Sequence, residues 1–347
     1  ILFGVSGEEM SLGQVIARRL ALLAVVLLGV SLLTFIISHA IPGDPARLLA
    51  GQRASDEVVE QIRRTHGLDQ PLPVQYVRYV SGLLKGDLGR SIRTGRPVAE
   101  DLARFFPATL ELVVTALTLA VVVGVPLGVW SASRQNTWVD HISRGVSVAG
   151  VSMPLFWLGV VALTVLYGRL GWLPGSGRLS PFALPPPTVT GLYTVDALIA
   201  GQWSTFVEAV RHLVLPAGCL AFVHVGLVAR QVRSNVLEVL SQDYIRTAEA
   251  YGVPPRRVLY RHALRNSLVP TLTVVGLALG DLLAGAVVTE TIFAWPGMGS
   301  YVVDSIAFLD FPAIMGFTLL VATGYTVINL LVDLLTLKLD PRIRAMG

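Results

Sequence analysis

The sequence has little charge and almost no lysine or cysteine. Charged residues make up 14% of its 347 residues and hydrophobic residues make up 53%, whereas a soluble domain carries about 25% charged residues. Only two lysines occur, Lys85 and Lys338, and neither stands in the GxxxxGK(S/T) pattern of a phosphate-binding loop. The single cysteine, Cys219, excludes an intramolecular disulfide and a cysteine metal site. This composition indicates a polytopic membrane protein that does not itself supply ATP hydrolysis.

Motifs for catalysis are absent as well. The sequence contains no HExxH, no GxSxG and no cluster of His, Cys and Asp at metal-ligand spacing. The net charge is +4, but the basic residues are spread over loops between apolar segments, which argues against nucleic-acid binding. We therefore expect a protein that is not an enzyme and that holds no cofactor or metal of its own.

Six apolar segments are long enough to cross a membrane, for which a helix needs about 20 residues. They are Leu20–Ile41, Ala108–Ala132, Val146–Tyr167, Leu213–Ala229, Leu268–Ile292 and Ala313–Leu337. The fourth is the shortest and contains His224, so its ends are the least well defined by the sequence. Residues 1–11 are expected to be an N-terminal extension or a remnant that is not native.

Arginine and lysine in the short flanking segments predict the orientation. They occur before the first span, between spans two and three, between spans four and five, and after the sixth (Arg18, Arg19, Arg134, Arg144, the loop from 230 to 266, Lys338, Arg342 and Arg344). The loop from Phe293 to Pro312 has none. Both termini are therefore predicted to be cytoplasmic. The segment 42–107 carries ten basic residues, but it is long enough to be translocated regardless of charge.

The segment 42–107 is predicted to be folded. Ser55 can cap a helix that has Asp56 in its first turn and Gly67 at its end. A second short helix is predicted from Val74 to Leu84, followed by the turn-rich sequence KGDLGRS. The other outer loop, 168–211, is rich in proline and glycine and is expected to be irregular.

The polar loop from Arg230 to Asn266 has seven arginines against three acids. Apolar residues recur in it at helical spacing (Val236, Leu237, Leu240, Tyr244 and Ile245). Ala248, Ala250 and Gly252 then form a small-residue surface before the break at Pro254 and Pro255. This pattern predicts a short cytoplasmic helix that seats in a groove of another protein.

Few ionisable residues lie in the predicted spans: His224, Asp281, Glu290 and Asp333. A charge at the bilayer centre costs about 2.5–3.5 kcal/mol on insertion scales, and proton-coupled carriers accept this cost several times to build a relay. Asp281 is the only acid deep within a predicted span. The pattern therefore argues against a proton-driven carrier.

The chain resembles the permease subunits of bacterial ABC importers for dipeptides and oligopeptides, specifically the member with a long first outer loop. The strings that carry the resemblance are IPGDP (41–45), GLDQPLPVQYVRYVSGLLKGDLGRS (67–91), SMPLFWLG (152–159), GWLPGSG (171–177), HLVLPA (212–217), LEVLSQDYIRTAEAYG (237–252), RHALRNSLVP (261–270), TETIFAWPGMG (289–299) and LDPRIR (339–344). The resemblance covers about 12–344. It implies an all-α integral membrane protein of the type I ABC importer permease fold, with six transmembrane helices and a small helical extracytoplasmic insertion after the first span.

The resemblance also implies a division of the chain. Residues 12–41 would form the cytoplasmic N-terminus and first span, and 42–107 the extracytoplasmic subdomain. Residues 108–337 would form the transmembrane core with a coupling loop at 230–267, and 338–347 the cytoplasmic tail.

The family's EAA motif, followed three residues later by glycine, aligns on Gly252. Arginine replaces the glutamate here, since the aligned residues are Arg246, Thr247 and Ala248. The resemblance implies that 241–256 is a coupling helix for an ATPase subunit, with contacts from Asp243, Tyr244, Arg246, Thr247, Ala248 and Gly252. The alternatives are a solvated basic loop near anionic lipid and, for Asp243 with Arg246, a surface pair within the loop.

Six residues are candidates for the translocation pathway or its gate: Met153, Phe156, Asp281, Glu290, Trp295 and Gly297. Span packing is the alternative for Met153 and Phe156. A hydrogen bond to a neighbouring helix or to a second permease subunit is the alternative for Asp281. Glu290 is instead expected to order the turn into the AWPGMG loop, and that loop is predicted to be a re-entrant or outer gate element.

The resemblance implies a complex in the bacterial inner membrane. Its partners would be a second, homologous permease, one or two kinds of ATP-binding subunit that hold ATP and Mg²⁺, an extracytoplasmic substrate-binding protein, and membrane lipid. The alternatives are the same class with another cargo (a nickel chelate, glutathione or a sugar), a secondary transporter, and an intramembrane enzyme.

Overall fold

The computed structural model describes residues 12–40, 46–47 and 54–339. Within these ranges the chain is helical, and its one β-bridge pairs Arg90 with Pro97. Residues 1–11, the IPGDP string and most of the predicted C-terminal tail lie outside the described residues.

Twelve α-helices are labelled here in chain order. They are α1 (Leu12–Ala40), α2 (Asp56–His66), α3 (Leu72–Leu83), α4 (Val98–Ser133), α5 (Trp138–Ser152), α6 (Leu155–Ala162), α7 (Tyr193–Ile199), α8 (Trp203–Leu240), α9 (Asp243–Ala250), α10 (Arg265–Ile292), α11 (Met298–Ala307) and α12 (Phe311–Leu339). A π-helical segment, Leu163–Arg169, continues α6, and the turn Pro255–Arg257 with a second π-helical segment, Val258–Leu264, leads into α10.

Five helices are long and apolar enough to cross a membrane: α1, α4, α8, α10 and α12. A sixth span results if α5 and the α6 segment count as one broken span, bent by 102° between Ser152 and Leu155. The prediction of one continuous span over Val146–Tyr167 is therefore wrong. Met153 adopts an extended conformation because the ring of Pro154 disfavours the helical region for the residue before it.

The fourth span is much longer than the sequence predicted. Instead of ending at Ala229, α8 continues to Leu240 and spans 38 residues, about 57 Å. Its polar end stays helical because Val232 and Val236, one turn apart, are both fully buried. Helix α7 and the first turns of α8 also fall in 168–211, so the prediction of an irregular loop there is only partly right.

The described residues pack as two units. The first comprises 12–15, 107–299 and 327–339. Its core is an apolar cluster of α4, α8 and α10 with the loop after α10, which includes Leu112, Leu220, Leu282 and Trp295. Helices α5 and α8 cross closely at Gly226, where a Cβ atom would lie 2.8 Å from the carbonyl oxygen of Ser147.

The second unit comprises 16–40, 46–47, 54–106 and 300–326. It contains both predicted outer helices at nearly their predicted bounds. Gly67 ends α2 at φ 65°, as expected. Ser55 stands at the N-cap position, as predicted, but its side chain makes no capping hydrogen bond. Helix α3 packs on α1 through a hydrogen bond of 2.9 Å between the hydroxyls of Tyr76 and Ser31.

In this second unit, two buried acids, Asp310 and Asp101, bind the turn at residues 91–96. Asp310 accepts hydrogen bonds from the Ser91 hydroxyl and the Arg93 backbone, and Asp101 pairs with Arg96 at 2.6 Å. Burial and the nearby Asp101 carboxylate raise the pKa of Tyr301 to about 12. The KGDLGRS turn is fixed to the loop before α12 through Ser91, and to the start of α4 through the Val98 N–H, which donates to Gly89 O at 2.9 Å.

Candidate functional site

Helix α9 buries one apolar side chain against the rest of the first unit. Ile245 is 1% exposed, and it is the one buried residue of the eight in the helix. Burying such a side chain stabilises the folded state by about 1.5–3 kcal/mol. Asp243, Tyr244, Arg246 and Thr247 are exposed and Ala248 is half-buried. Four of the predicted coupling residues therefore lie on the free surface of α9.

Gly252 ends α9 in a left-handed conformation. Its φ is 76°, its N–H donates to Glu249 O at 2.9 Å, and the N–H of Val253 donates to Ala248 O at 3.1 Å. These two bonds make up a Schellman motif, which favours glycine at this position. No atom lies within 4 Å of where its Cβ would be. The space around the Cβ position of Gly252 is therefore open, and a partner could approach there.

The polar contacts of α9 differ in strength. Arg246 lies 3.5 Å from Asp243, but both side chains are mostly exposed, and such pairs contribute about 0–1 kcal/mol. The structure therefore contains the surface pair of Asp243 with Arg246 that was the alternative to a contact with a partner. The Tyr244 hydroxyl accepts a 2.7 Å hydrogen bond from Asn266 Nδ2, which links α9 to the first turn of α10.

A buried ion pair joins α8 to α5 near the same end of the unit. Arg233 donates from Nε and Nη2 to the two carboxylate oxygens of Asp140, at 2.6 and 2.8 Å. Asp140 is fully buried and also accepts from the Ser131 hydroxyl and the Asn136 backbone. Bidentate charge-assisted geometry makes this pair directional. The polar part of α8 is thus fixed to both neighbouring helices, α4 and α5.

Glu290, Trp295 and Gly297 lie in a buried polar cluster where α10 meets α4. The Glu290 carboxylate accepts from the Thr109 hydroxyl, which itself accepts from the Met298 backbone at 2.8 Å. A Cβ at Gly297 would lie 2.3 Å from Glu290 Oε1, so the carboxylate packs directly against the loop backbone. Trp295 is 1% exposed. Its indole N–H donates to Ala108 O at 2.9 Å.

This arrangement agrees with the expectation that Glu290 orders the turn into the AWPGMG loop. Neither Glu290 nor Trp295 lines an open path in this chain, since both are buried. A role of the loop as a gate stays a prediction.

A second buried ion pair extends this cluster. Arg178 donates from Nη2 to Glu111 Oε2 at 2.6 Å and to Gly191 O at 2.8 Å, and its guanidinium lies 3.5 Å from the ring centre of Tyr193. The other Glu111 oxygen accepts from the backbone and hydroxyl of Thr194. The loop before α7 is therefore fixed to α4 within the first unit.

Asp196 organises the turn that leads into α7. Its carboxylate accepts from the backbone N–H groups of Val189, Thr190 and Gly191 and from the Thr190 hydroxyl. Burial alone would raise the pKa of Asp196, but these hydrogen bonds outweigh burial and hold the pKa below its usual range.

Met153 and Phe156 flank the sharp bend between α5 and α6. Met153 is half-buried and Phe156 is 59% exposed. The other candidates buried in the spans are satisfied within the chain: His224 Nδ1 contacts Leu220 O at 3.0 Å, and Cys219 packs with Leu215 and Phe293. The structure does not bring the six pathway candidates into one cluster; it brings together Glu290, Trp295 and Gly297.

Asp281 is exposed on α10, and it has no hydrogen bond or ion pair to any described residue. No helix in the described part of the chain supplies the hydrogen bond that was the alternative role for Asp281. A contact with a second subunit or with the pathway remains open.

Sequence reasoning missed both buried ion pairs. Glu111 lies three residues inside the second predicted span and was not recognised there, although an acid at membrane depth signals a partner or a function. Asp140 and Arg233 were assigned to polar flanks, and no local spacing joins them, since they are 93 residues apart. Among the residues that the structure describes, no group of His, Cys, Asp and Glu could hold a metal ion.

Comparison with known proteins yields two family matches that cover most of the chain. The model of binding-protein-dependent transport system inner membrane components matches residues 124–345, and the model of the N-terminal part of such components matches residues 12–113.

The curated relatives match over nearly their whole length. The probable D,D-dipeptide transport system permease protein DdpB of Escherichia coli K12 is 58% identical, over 97% of this chain and 99% of that protein. The dipeptide transport system permease protein DppB of Alkalihalophilus pseudofirmus is 45% identical, over 94% and 98%. The glutathione transport system permease protein GsiC of Escherichia coli O6:H1 is 38% identical, over 96% and 99%.

Proposed function

Because the chain belongs to the family of binding-protein-dependent transport system inner membrane components, we propose that it forms half of the translocation pathway of an ATP-driven importer for di- and oligopeptides. It is a multi-pass protein of the inner membrane. A second, homologous permease forms the other half of the pathway. One or two kinds of ATP-binding subunit dock on the cytoplasmic side. An extracytoplasmic binding protein delivers the cargo on the outer side.

The observation that carries this proposal is the connection between α8 and α9. A helix of 38 residues leaves the apolar core and ends next to a short helix whose surface is almost wholly exposed. Arg233 fixes the polar part of α8 to Asp140. A force applied to α9 would therefore reach α8 directly and α10 through Tyr244 and Asn266.

The mechanism follows from this linkage. ATP and Mg²⁺ bind in the partner subunits, and this chain is not catalytic. Closure of the ATP-binding subunits around ATP moves α9, and α8 and α10 carry the movement into the membrane so that the pathway opens outward. Hydrolysis resets the pathway inward. The energetic requirement is that ATP binds the closed state more tightly than the open one, since a ligand shifts an equilibrium only by its differential affinity.

The orientation in this proposal rests on the arginine counts. They support a cytoplasmic position for both termini, α9 and the Gly252 turn, and an outer position for α2, α3 and α7. The relatives DdpB and DppB are named for D,D-dipeptide and dipeptide transport, which supports dipeptides as the cargo. The glutathione permease among the relatives supports glutathione as a second candidate.

The test is purification of the tagged chain from its native host in mild detergent, with mass spectrometry of the proteins that accompany it. We expect a second permease and ATPases with phosphate-binding loops, and we expect the associated binding protein to bind dipeptides. Recovery of a stable chain without ATPases would contradict the importer proposal and favour a secondary transporter.

A further inference from the structure

Asp281 lies at the centre of a membrane-spanning helix. It is equally far from Pro270 and Ile292, the ends of the apolar part of α10, at about 17 Å of helix from each. Its carboxylate is exposed and has no partner among the described residues. The acids buried in the same unit all have partners, as Glu111 and Asp140 illustrate.

The exposed residues around Asp281 form one stripe along α10. They are spaced three or four apart and comprise Thr273, Leu277, Asp281, Ala284, Val288 and Thr291. Three of the six side chains, Thr273, Asp281 and Thr291, are polar, and the charged one lies in the middle of the stripe, where lipid tails would be a poor neighbour. An ionised carboxylate in the hydrocarbon centre is costly, and membrane acids accordingly face protein or water-filled cavities.

We propose that this stripe lines the water-filled translocation pathway and that Asp281 binds the primary ammonium group of the cargo. The proposal rests on the proposed function, because it takes the stripe to face a path shared with a second permease. The carboxylate is complementary to one end of an unblocked peptide, and no basic residue of the described chain competes for it. Asp281 is then the cation-binding group of the pathway.

Water access is measured by cysteine labelling in the assembled complex. The chain has a single cysteine, so Cys219→Ala gives a background in which Ala284→Cys can be probed alone. We expect membrane-impermeant methanethiosulfonate reagents to label Ala284→Cys in membranes that contain the whole importer. Leu282→Cys is the matched control, because Leu282 is next to Asp281 but fully buried, and it should stay unlabelled.

The same labelling experiment measures the electrostatic effect of the Asp281 carboxylate. Residues three apart on a helix are about 6 Å from each other. At that distance one carboxylate in water raises the local concentration of a cation about threefold and lowers that of an anion as much. The ratio of cationic to anionic labelling rates at Ala284→Cys should therefore fall about tenfold when Asp281→Asn is added.

Transport provides the last measurement. Uptake of radiolabelled dialanine should fall about tenfold in Asp281→Asn and be largely kept in Asp281→Glu, with co-purification of the ATPases unchanged in both. Absence of labelling at Ala284→Cys would overturn the proposal and place the stripe against the second permease. An unchanged rate ratio, or normal uptake by Asp281→Asn, would overturn it too. The labelling does not depend on peptide transport, so its failure is distinguishable from failure of the importer proposal.

Discussion

Replacement of Gly252 by arginine tests whether the turn after α9 meets the ATPase subunit. The residue has φ 76° and open space around its Cβ position. A residue other than glycine in the left-handed region costs about 1–2 kcal/mol. This is a modest part of the roughly 5–15 kcal/mol by which proteins are stable, so the variant should fold and insert. Its arginine would project into the open space where we propose that the ATPase subunit packs.

The matched control is Gly201→Arg. Gly201 has φ 67° and also has no atom within 4 Å of its Cβ position, but it lies in the turn between α7 and α8, on the predicted outer side. The two variants therefore carry the same charge and nearly the same backbone strain. A third variant, Gly252→Ala, carries the strain without the bulk.

The assay compares the amount of membrane-inserted chain, the co-purified ATPase and the uptake of dialanine for the three variants. An arginine forced into a packed interface leaves a charge desolvated without a partner, which costs several kcal/mol. Gly252→Arg should therefore lose more than about 90% of ATPase recovery and uptake, because each 1.4 kcal/mol is a tenfold change in affinity. Gly201→Arg and Gly252→Ala should keep most of both. Normal uptake by Gly252→Arg, or an equal loss in Gly201→Arg, would refute the reasoning.

Three further predictions concern stability, measured by thermal unfolding in detergent. Arg233→Ala should destabilise the chain by about 3–5 kcal/mol because it leaves a buried aspartate unpaired, whereas exposed Arg230→Ala on the same helix should change little. Gly297→Ala should destabilise the chain because its Cβ would overlap a buried carboxylate, whereas Gly324→Ala, in open space within α12, should be neutral or slightly stabilising. Asp196→Asn should destabilise the chain at pH 7 by about 1.5–3 kcal/mol. Since the folded pKa of Asp196 is lowered, the ionised carboxylate stabilises the fold fully above its unfolded pKa of about 3.9. The difference from wild type should therefore shrink as the pH falls below that value and disappear below the folded pKa. An unchanged difference at pH 3 would contradict this.

Hydropathy predicted the membrane helices well because an apolar run of 20 residues has few other stable structures. Five of the six predicted spans fall within single helices, apart from Ile41, which lies outside the described residues. The prediction of a continuous third span failed at Pro154. Proline alone could not have identified the break, since Pro107, Pro126 and Pro216 lie inside continuous helices. Whether a helix continues through proline depends on what neighbouring helices offer the freed carbonyl groups, and hydropathy does not contain that information.

The end of α8 was missed for a different reason. An apolar window ends where arginines begin, at Arg230, but the helix ends only at Leu240. The signal was in the sequence, since Val228, Val232 and Val236 are spaced four apart and all are buried. Periodicity rather than mean hydropathy decides where such a helix stops.

The charged residues divide into two groups that the sequence cannot separate. Arg233 and Asp140 are 93 residues apart, and Arg178 and Glu111 are 67 apart, so only the fold reveals that they pair. A buried charge without a partner is costly, so the chain satisfies these residues internally, and their role is to hold helices together. Asp281 has no partner in the described chain, and most side chains of α9 are exposed. In a subunit of a larger assembly, such exposed groups are where we propose that other molecules bind: the ATPase at α9, and the cargo at Asp281.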